Sequence, residues 1–264
     1  MTDRETKIYD RLKHDYKYVT NKGYTVFGVF LQGSQNYNLD YEGSDIDTKC
    51  IVIPALEDIV LNTKPVSTTL ILEDNSHIDV KDIRLMWTHF KKQNINFLEI
   101  LFTEFFFVPY EYFHYWMKMC KIKEDIAHYN NYAAVNCIAG MVFEKNAALC
   151  HPYPTLKDKI DKYGYDNKQL HHIIRCEEFL NRYISSTPFA DCLIPHDTHS
   201  LIEVKSTYKY SLEEAKQLAK DTVERVKATK AKYLAEHEQI IHEETASKLD
   251  FILVEIIRES LNEE

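Results

Sequence analysis

The pattern of apolar residues changes near residue 110, and this change constrains the fold more than any other feature of the 264-residue chain. Before it, short runs rich in β-branched and aromatic residues alternate with helical patterns; after it, long helical periods follow one another. Strands mixed with helices and then helices alone indicate an α+β protein. We therefore predict a small mixed sheet with helices in residues 1–110 and a mainly helical domain in residues 111–264.

The first part of the chain opens with an amphipathic helix predicted for residues 3–20 and continues with strands. Strands are predicted at Tyr24–Leu31, Asp47–Ile53, Val66–Leu72, Ser76–Val80 and, as an edge strand, Glu104–Val108. The composition of Glu73–Asn75 predicts a turn, and Asp82 is placed to cap the next helix. In the second part, helices are predicted for roughly 110–119, 123–149, 166–184, 211–240 and 244–262. Ser211 and Glu214 have the spacing of a capping box.

The formal net charge of −9 gives the chain no basic surplus, so any polyanion has to be met by a local patch. The six cysteines are scattered, and no secretory leader is recognisable ahead of them, which favours reduced thiols and a cytoplasmic location. The most apolar stretch contains Glu99 and Glu104 and is too short to span a bilayer. We therefore expect no contact with a membrane.

The stretch from Gly33 to Asp47 has the composition of an active site. An apolar strand leads into Gly33-Ser34, a polar turn follows, and the next strand opens with Asp45 and Asp47. Residues two apart in a strand project from the same face, about 6.5 to 7 Å apart, so these two carboxylates aim together. Paired carboxylates suit Mg²⁺, which completes its octahedron with water and substrate phosphate oxygens.

Gly33 and Ser34 lie where a strand gives way to a short helix or turn, so that free backbone N–H groups and the Ser34 hydroxyl can hold phosphate oxygens. No Gly-Lys-Ser/Thr follows, which excludes a Walker A loop. Asp79 lies between Ile78 and Val80, whose apolar side chains predict that Asp79 points away from the core. Asp79 is therefore our candidate for a third carboxylate, with Asp82 as the alternative.

Taken in order, Gly33-Ser34, Ser44-Asp45-Ile46-Asp47 and Asp79 resemble the DNA polymerase β-like nucleotidyltransferase superfamily. Tyr37 and Leu39, Ile51–Pro54 and Asn96–Phe102 are similar to one branch of it, the predicted nucleotidyltransferases associated with RNA repair. The chain departs from that branch at Asn94-Ile95-Asn96, where related sequences usually have Asn-Pro.

The resemblance implies attack of a hydroxyl on the α-phosphorus of a nucleoside triphosphate, with pyrophosphate as leaving group and two Mg²⁺ ions, for which Mn²⁺ can substitute. By this resemblance Asp45 and Asp47 bind both ions, and Asp79 binds the catalytic ion. Gly33, Ser34 and Ser44 are the expected nucleotide-binding residues of this stretch. The acceptor implied is an RNA or tRNA end.

Lys168, His172 and Arg175 share one face of the helix predicted for residues 166–184, opposite an apolar stripe. Their spacing also resembles the C-terminal region of the same branch, which implies contact with triphosphate or acceptor. An exposed basic helix face is the alternative.

Three functions stay open at this point. The first is transfer of a nucleotide to an RNA end. The second transfers it to a hydroxyl of a protein or small molecule. The third is a nucleotide-binding regulator without turnover. The sequence leaves the base, the acceptor and the oligomeric state undetermined.

Overall fold

The computed structural model describes residues 1–41, 43–73 and 76–262. Within them five strands form one sheet in the order β3-β4-β2-β1-β5. The strands are β1 (Thr25–Gln32), β2 (Asp47–Ile53), β3 (Ser67–Ile71), β4 (His77–Asp82) and β5 (Phe106–Phe107). β2 runs parallel to β4, and the other neighbours pair antiparallel. The predicted α+β class with a small mixed sheet is confirmed, and each predicted strand is present. Asp74 and Asn75 of the predicted turn lie outside the described residues.

The helices occupy most of the chain after residue 110. They are α1 (Asp3–Thr20), α2 (Leu56–Val60), α3 (Ile83–Lys91), α4 (Ile95–Leu98), α5 (Tyr110–Lys121), α6 (Lys123–Ala127), α7 (Asn131–Ala148), α8 (Lys157–Tyr163), α9 (Asn167–Ile184), α10 (Phe189–Leu193), α11 (Thr198–Ser206), α12 (Leu212–Glu236) and α13 (Glu243–Asn262). Short 3₁₀ helices cover Gly33–Tyr37 and Glu99–Phe102. The caps predicted at Asp82 and Ser211 are confirmed.

The helix predicted for residues 123–149 is two helices, α6 and α7. Near the end of α6, the carbonyl of Ile126 accepts a hydrogen bond from Nε2 of Gln93 at 2.7 Å. This carbonyl is thus bound to a side chain from another part of unit 1. Helices α2, α8, α10 and α11 have no counterpart among the predicted helices. α10 follows Pro188, and the carboxylate of Asp197 caps α11 by accepting from the amide of Ser200 at 2.9 Å.

The chain divides into two compact units. Unit 1 contains Met1–Asn36, Gly43–Asn130 and Ile241–Glu264, and unit 2 contains Tyr37–Glu42 and Asn131–Ile240, in each case as far as these residues are described. These limits differ from the predicted boundary near residue 110, because α5, α6 and α13 belong to unit 1. The indole N–H of Trp87 in α3, for example, donates to Asp250 in α13 at 3.1 Å.

The sheet of unit 1 is covered on both faces. α1 packs on one face through a fully buried cluster that continues into β1, β2 and β4: Ile8, Leu12, Val19, Val26, Val29, Leu31, Cys50, Val52, Ile78 and Val80. α5 packs on the other face, where the rings of Phe30 and Trp116 lie 4.5 Å apart between centres. Burial of Ile78 and Val80 turns Asp79 away from the α1 face, as predicted.

Unit 2 is a bundle in which α9 packs against α7, α11 and α12. The apolar face of α9 is buried through Leu170, Ile173 and Leu180. Its buried Tyr183 donates a hydrogen bond from its hydroxyl to Asn131 Oδ1 at 2.6 Å. In neither unit do the described residues include a helix with the length and apolar character needed to cross a membrane.

Candidate active site

The turn after β1 is built on the backbone of Gly33. Its φ of +79° lies in the left-handed region, and a Cβ at this position would lie 3.3 Å from Oδ2 of Asp47. A side chain would therefore be strained by the backbone and crowded by the carboxylate. The structure thus brings together two predicted site residues, Gly33 and Asp47, which are 14 positions apart in the sequence.

Distant residues hold this turn in place. The guanidinium of Arg4 in α1 donates to the carbonyl of Gln35 at 2.8 Å and to its side-chain oxygen at 3.0 Å. Asn36 donates from its side chain to the Leu31 carbonyl at 2.7 Å and accepts from the Thr103 hydroxyl at 2.7 Å. The sequence analysis missed Arg4 and Thr103, because nothing in the local pattern links them to the turn. Ser34 is half-buried in the same turn.

Only the second of the two paired carboxylates lies in β2, so the strand spacing predicted for the pair does not extend to Asp45. Asp45 is exposed, Asp47 is half-buried and is the first residue of the strand, and Ser44 just before them is half-buried. Thr48, the next residue, points to the α1 face. Its hydroxyl donates a hydrogen bond to Oδ2 of the fully buried Asp15, at an O–O distance of 2.6 Å. Alternation along the strand therefore directs Asp47 and Lys49 to the opposite face.

Asp79 lies on the neighbouring strand, directly opposite Lys49 in the parallel register of β2 and β4. Its Oδ2 lies 2.7 Å from Nζ of Lys49, and its Oδ1 lies 2.9 Å from Nζ of Lys81. The ammonium of Lys49 also stands 4.4 Å from the centre of the Phe97 ring. The sequence analysis missed both lysines, because their role depends on the register of the two strands.

Lys49 is a buried cation, since only 4% of its side chain is exposed. Burial lowers its pKa below the ordinary lysine value; the charge and hydrogen bond of Asp79 act in the opposite direction, and the charge of Lys81 lowers the pKa further. Asp79 is therefore the counter-charge that allows an ammonium group to remain in the interior of unit 1.

The described residues fit a divalent cation held by two carboxylates better than one held by three. No three His, Cys, Asp or Glu side chains within the described ranges are grouped closely enough to hold a metal ion. Asp45 and Asp47 offer oxygen ligands at an accessible strand end, which suits Mg²⁺ with water and phosphate oxygens as its remaining ligands. A metal ion at Asp79 would have to share its oxygens with two ammonium groups.

The predicted basic residues Lys168, His172 and Arg175 lie on α9 in unit 2, and their surroundings differ. Lys168 is exposed, whereas His172 and Arg175 are half-buried. The guanidinium carbon of Arg175 lies 3.7 Å from the centre of the Tyr37 ring, so part of its surface is covered by this stack. Of the three predicted basic residues, only Lys168 is therefore exposed to solvent.

Burial lowers the pKa of His172 well below its ordinary value, and nearby positive charge adds to the effect. That charge comes from Arg175, Lys145 and Lys205. Lys145 of α7, Arg175 of α9 and Lys205 of α11 thus place positive charge near His172, and we call these three residues the electropositive cluster. Only Arg175 of this cluster was predicted from the sequence. Such a cluster is suited to binding an anion.

The comparisons with known proteins add little to this geometry. No family model matches the chain, and no curated protein matches it. Among solved structures, a nucleotidyltransferase-like protein from Exiguobacterium sibiricum is similar at 13% sequence identity, over 84% of this chain and 76% of that chain, with a TM-score of 0.33. A TM-score this low establishes neither a shared fold nor a shared activity.

Proposed function

We propose that the chain is a metal-dependent nucleotidyltransferase, which moves a nucleoside monophosphate from a nucleoside triphosphate to a hydroxyl acceptor and releases pyrophosphate. One observation carries the proposal: the turn at Gly33 lies so near the carboxylate of Asp47, the second of two paired aspartates, that a Cβ on Gly33 would be 3.3 Å from its Oδ2. A phosphate-binding turn beside two oxygen ligands is the arrangement that a nucleotide with a divalent cation requires.

Each residue of the turn and the strand then has a separate task. Asp45 and Asp47 hold the cation by their carboxylate oxygens. Backbone N–H groups near Gly33 and the Ser34 hydroxyl bind phosphate oxygens, and Ser44 lies at the same strand end. When bound, Mg²⁺ or Mn²⁺ neutralises phosphate charge and makes the acceptor hydroxyl more acidic. Asp79 remains the residue predicted from sequence as the third ligand and proton acceptor.

For the acceptor we propose an RNA end, most simply that of a tRNA in RNA repair within the cytoplasm. The electropositive cluster of unit 2 supports binding of a polyanion by a chain whose net charge is −9. Arg175 belongs to this cluster, the half-buried His172 adjoins it, and the exposed Lys168 lies one turn before His172 on α9. A protein or small-molecule hydroxyl is the alternative acceptor, which the acidic composition favours.

A regulator that binds nucleotide without turnover is a second candidate. It is favoured by one observation, that both oxygens of Asp79 face ammonium groups. Such a protein would bind nucleotide and leave it unchanged after long incubation.

The deciding experiment is a transfer assay with each of the four α-labelled nucleoside triphosphates and Mg²⁺. The acceptors are pools of RNA, protein extract and small molecules. We expect label in the RNA pool and release of pyrophosphate. Label in another pool would move the acceptor to that class. Intact nucleotide with measurable binding would favour the regulator.

The matched variants are Asp45→Asn/Asp47→Asn and, as control for the same change in charge, Asp10→Asn/Asp158→Asn at two exposed positions. The first should abolish transfer at unchanged thermal stability, while the control should keep it. Equal pyrophosphate release by the first variant would sink the proposal.

A further inference from the structure

Lys49, Asp79 and Lys81 form a compact charged group on the face of the sheet that also carries Asp47, and we name it the lysine–aspartate cluster. Each oxygen of Asp79 meets a different ammonium, at 2.7 and 2.9 Å. Lys81 in turn donates to the Ser67 hydroxyl at 2.8 Å. The carboxylate thus bridges two cations, and the cluster carries a net charge of one positive unit.

This charge balance is unfavourable for a metal ion at Asp79. A divalent cation there would add two positive charges to a group that is already positive, and at close range charges of the same sign repel strongly in a partly buried site. Displacing Lys49 is also costly, because its side chain is 4% exposed and would lose its counter-charge in the interior. Asp45, in contrast, is exposed to solvent.

Two members of the lysine–aspartate cluster are partly exposed to solvent. The side chains of Lys81 and Asp79 are 17% and 21% exposed. Lys49 follows Asp47 by two residues on the same strand, so that the cluster begins next to the second carboxylate on the same face. Its positive charge is therefore displayed beside the place where the proposed function puts a polyphosphate.

We infer that Asp79 is a positioning residue for Lys49 and Lys81 and not a metal ligand. On this inference, which rests on the proposed function, the protein holds one divalent cation, through Asp45 and Asp47. The net positive charge of the lysine–aspartate cluster takes over part of the phosphate neutralisation that a second ion would supply. This departs from the third-ligand role predicted for Asp79 from sequence.

The direct test counts Mn²⁺ ions bound by the full chain, by electron paramagnetic resonance of free Mn²⁺ during titration. We expect one ion per chain in the wild type, loss of that ion in Asp47→Asn, and an affinity within about twofold of wild type in Asp79→Asn. Two ions in the wild type, or loss of an ion in Asp79→Asn, would overturn the inference. No bound ion in the wild type would overturn it as well.

Asp79→Asn leaves Lys49 without its counter-charge and can therefore misfold. A second variant, which removes both charges, keeps the test decisive in that case. Lys49→Met/Asp79→Leu replaces the buried pair by apolar side chains of similar size, a change that proteins often tolerate. This variant should fold and bind one Mn²⁺ ion with an affinity near that of wild type. Folded protein without the ion would contradict the inference.

A kinetic arm tests the role of the positive charge. Lys81→Met should raise the KM for the nucleotide several-fold with little change in Mn²⁺ affinity, and Lys81→Arg should restore the KM. An unchanged KM in Lys81→Met would overturn this part. A wild type that transfers label and binds two ions refutes the inference alone, whereas one that binds one ion and transfers no label refutes the proposed function.

Discussion

The guanidinium of Arg175 stacks on the ring of Tyr37, with 3.7 Å between the guanidinium carbon and the ring centre. Tyr37 begins the short segment that connects the Gly33 turn with the two aspartates in the sequence. A second helix holds the same segment: Nζ of Lys205 in α11 donates to the carbonyl of Leu39 at 3.2 Å and lies 5.3 Å from the Tyr41 ring centre. Basic side chains of α9 and α11 therefore hold Tyr37, Leu39 and Tyr41 in place.

Replacing Arg175 by Lys should loosen this segment, because an ammonium group keeps the charge and loses the planar stack. We expect faster amide hydrogen exchange in residues 37–41 and a loss of stability on the order of 1 kcal/mol, as is usual for a partly buried cation–π contact. Lys168→Ala is the control, since Lys168 is an exposed residue of the same helix. Unchanged exchange in Arg175→Lys would show that the stack does not hold the segment.

Removing the carboxylate of Asp79 should lower the free energy of unfolding of unit 1. Asp79→Ala removes the carboxylate that lies 2.7 Å from the buried ammonium of Lys49, and breaking a buried ion pair in this way costs about 3–5 kcal/mol. Denaturation by urea measures the loss, and Lys49→Met/Asp79→Leu should recover most of it. If Asp79→Ala is as stable as wild type, Lys49 does not depend on this carboxylate. Activity measured on Asp79→Ala alone would therefore confound chemistry with folding.

Gly33→Ala should weaken Mn²⁺ binding in addition to the stability that it loses through the strained backbone. A non-glycine residue in the left-handed region costs about 1–2 kcal/mol, and here the new Cβ would also lie 3.3 Å from Oδ2 of Asp47. Gly23→Ala is a matched control, because Gly23 has a φ of +86° and a Cβ there would meet nothing within 4 Å. We expect similar stability losses in both variants and weaker Mn²⁺ binding in Gly33→Ala only. Equal Mn²⁺ binding in the two would separate Gly33 from the site.

Unit 2 should lose stability as the pH falls from about 6.5 to about 4. Burial lowers the pKa of His171 from 6.5 to about 4, and the hydrogen bond between its Nδ1 and the Leu201 carbonyl, at 2.9 Å, only partly opposes this. The unfolded chain therefore takes up a proton in this range before the folded chain does, which favours unfolding at low pH. For His171 alone, the loss between pH 7 and pH 5 is about 2 kcal/mol, at 1.36 kcal/mol per pKa unit.

His171→Gln is the variant that checks this origin, because glutamine cannot gain a proton in this range and keeps a donor for the Leu201 carbonyl. Its urea midpoint should fall less between pH 7 and pH 5 than that of wild type. An equally steep fall would assign the pH dependence to other groups, of which His172 is the first to consider, since its pKa is also lowered.

Much of the sheet could be predicted from the sequence, because its signals are local. The strand predicted at Asp47–Ile53 has the observed limits, and Asp82 caps α3 by accepting a hydrogen bond from the amide of Arg84, two residues away. The outward direction of Asp79 followed from its buried neighbours Ile78 and Val80. Within such short distances, residue type and periodicity decide the structure.

The surroundings of the site could not be predicted, because they depend on contacts between distant residues. Pairing of Lys49 with Asp79 requires the parallel register of β2 and β4, and the stack of Arg175 on Tyr37 joins residues 138 positions apart in the sequence. Neither contact leaves a periodic pattern. The sequence therefore indicated which carboxylates to consider, while the charge that faces Asp79 emerged only from the structure.

Residues 131–240 of unit 2 lie in the sequence between two parts of unit 1, which affects the order in which unit 1 is synthesised. α13 returns to α3 and α5 of that unit, where Asp250 accepts from Trp87 and Glu259 accepts from the Tyr115 hydroxyl at 3.4 Å. A ribosome therefore has to synthesise all of residues 131–240 before the helix that completes unit 1 leaves the exit tunnel. Until then the nascent sheet unit exposes the apolar surface that α13 later covers.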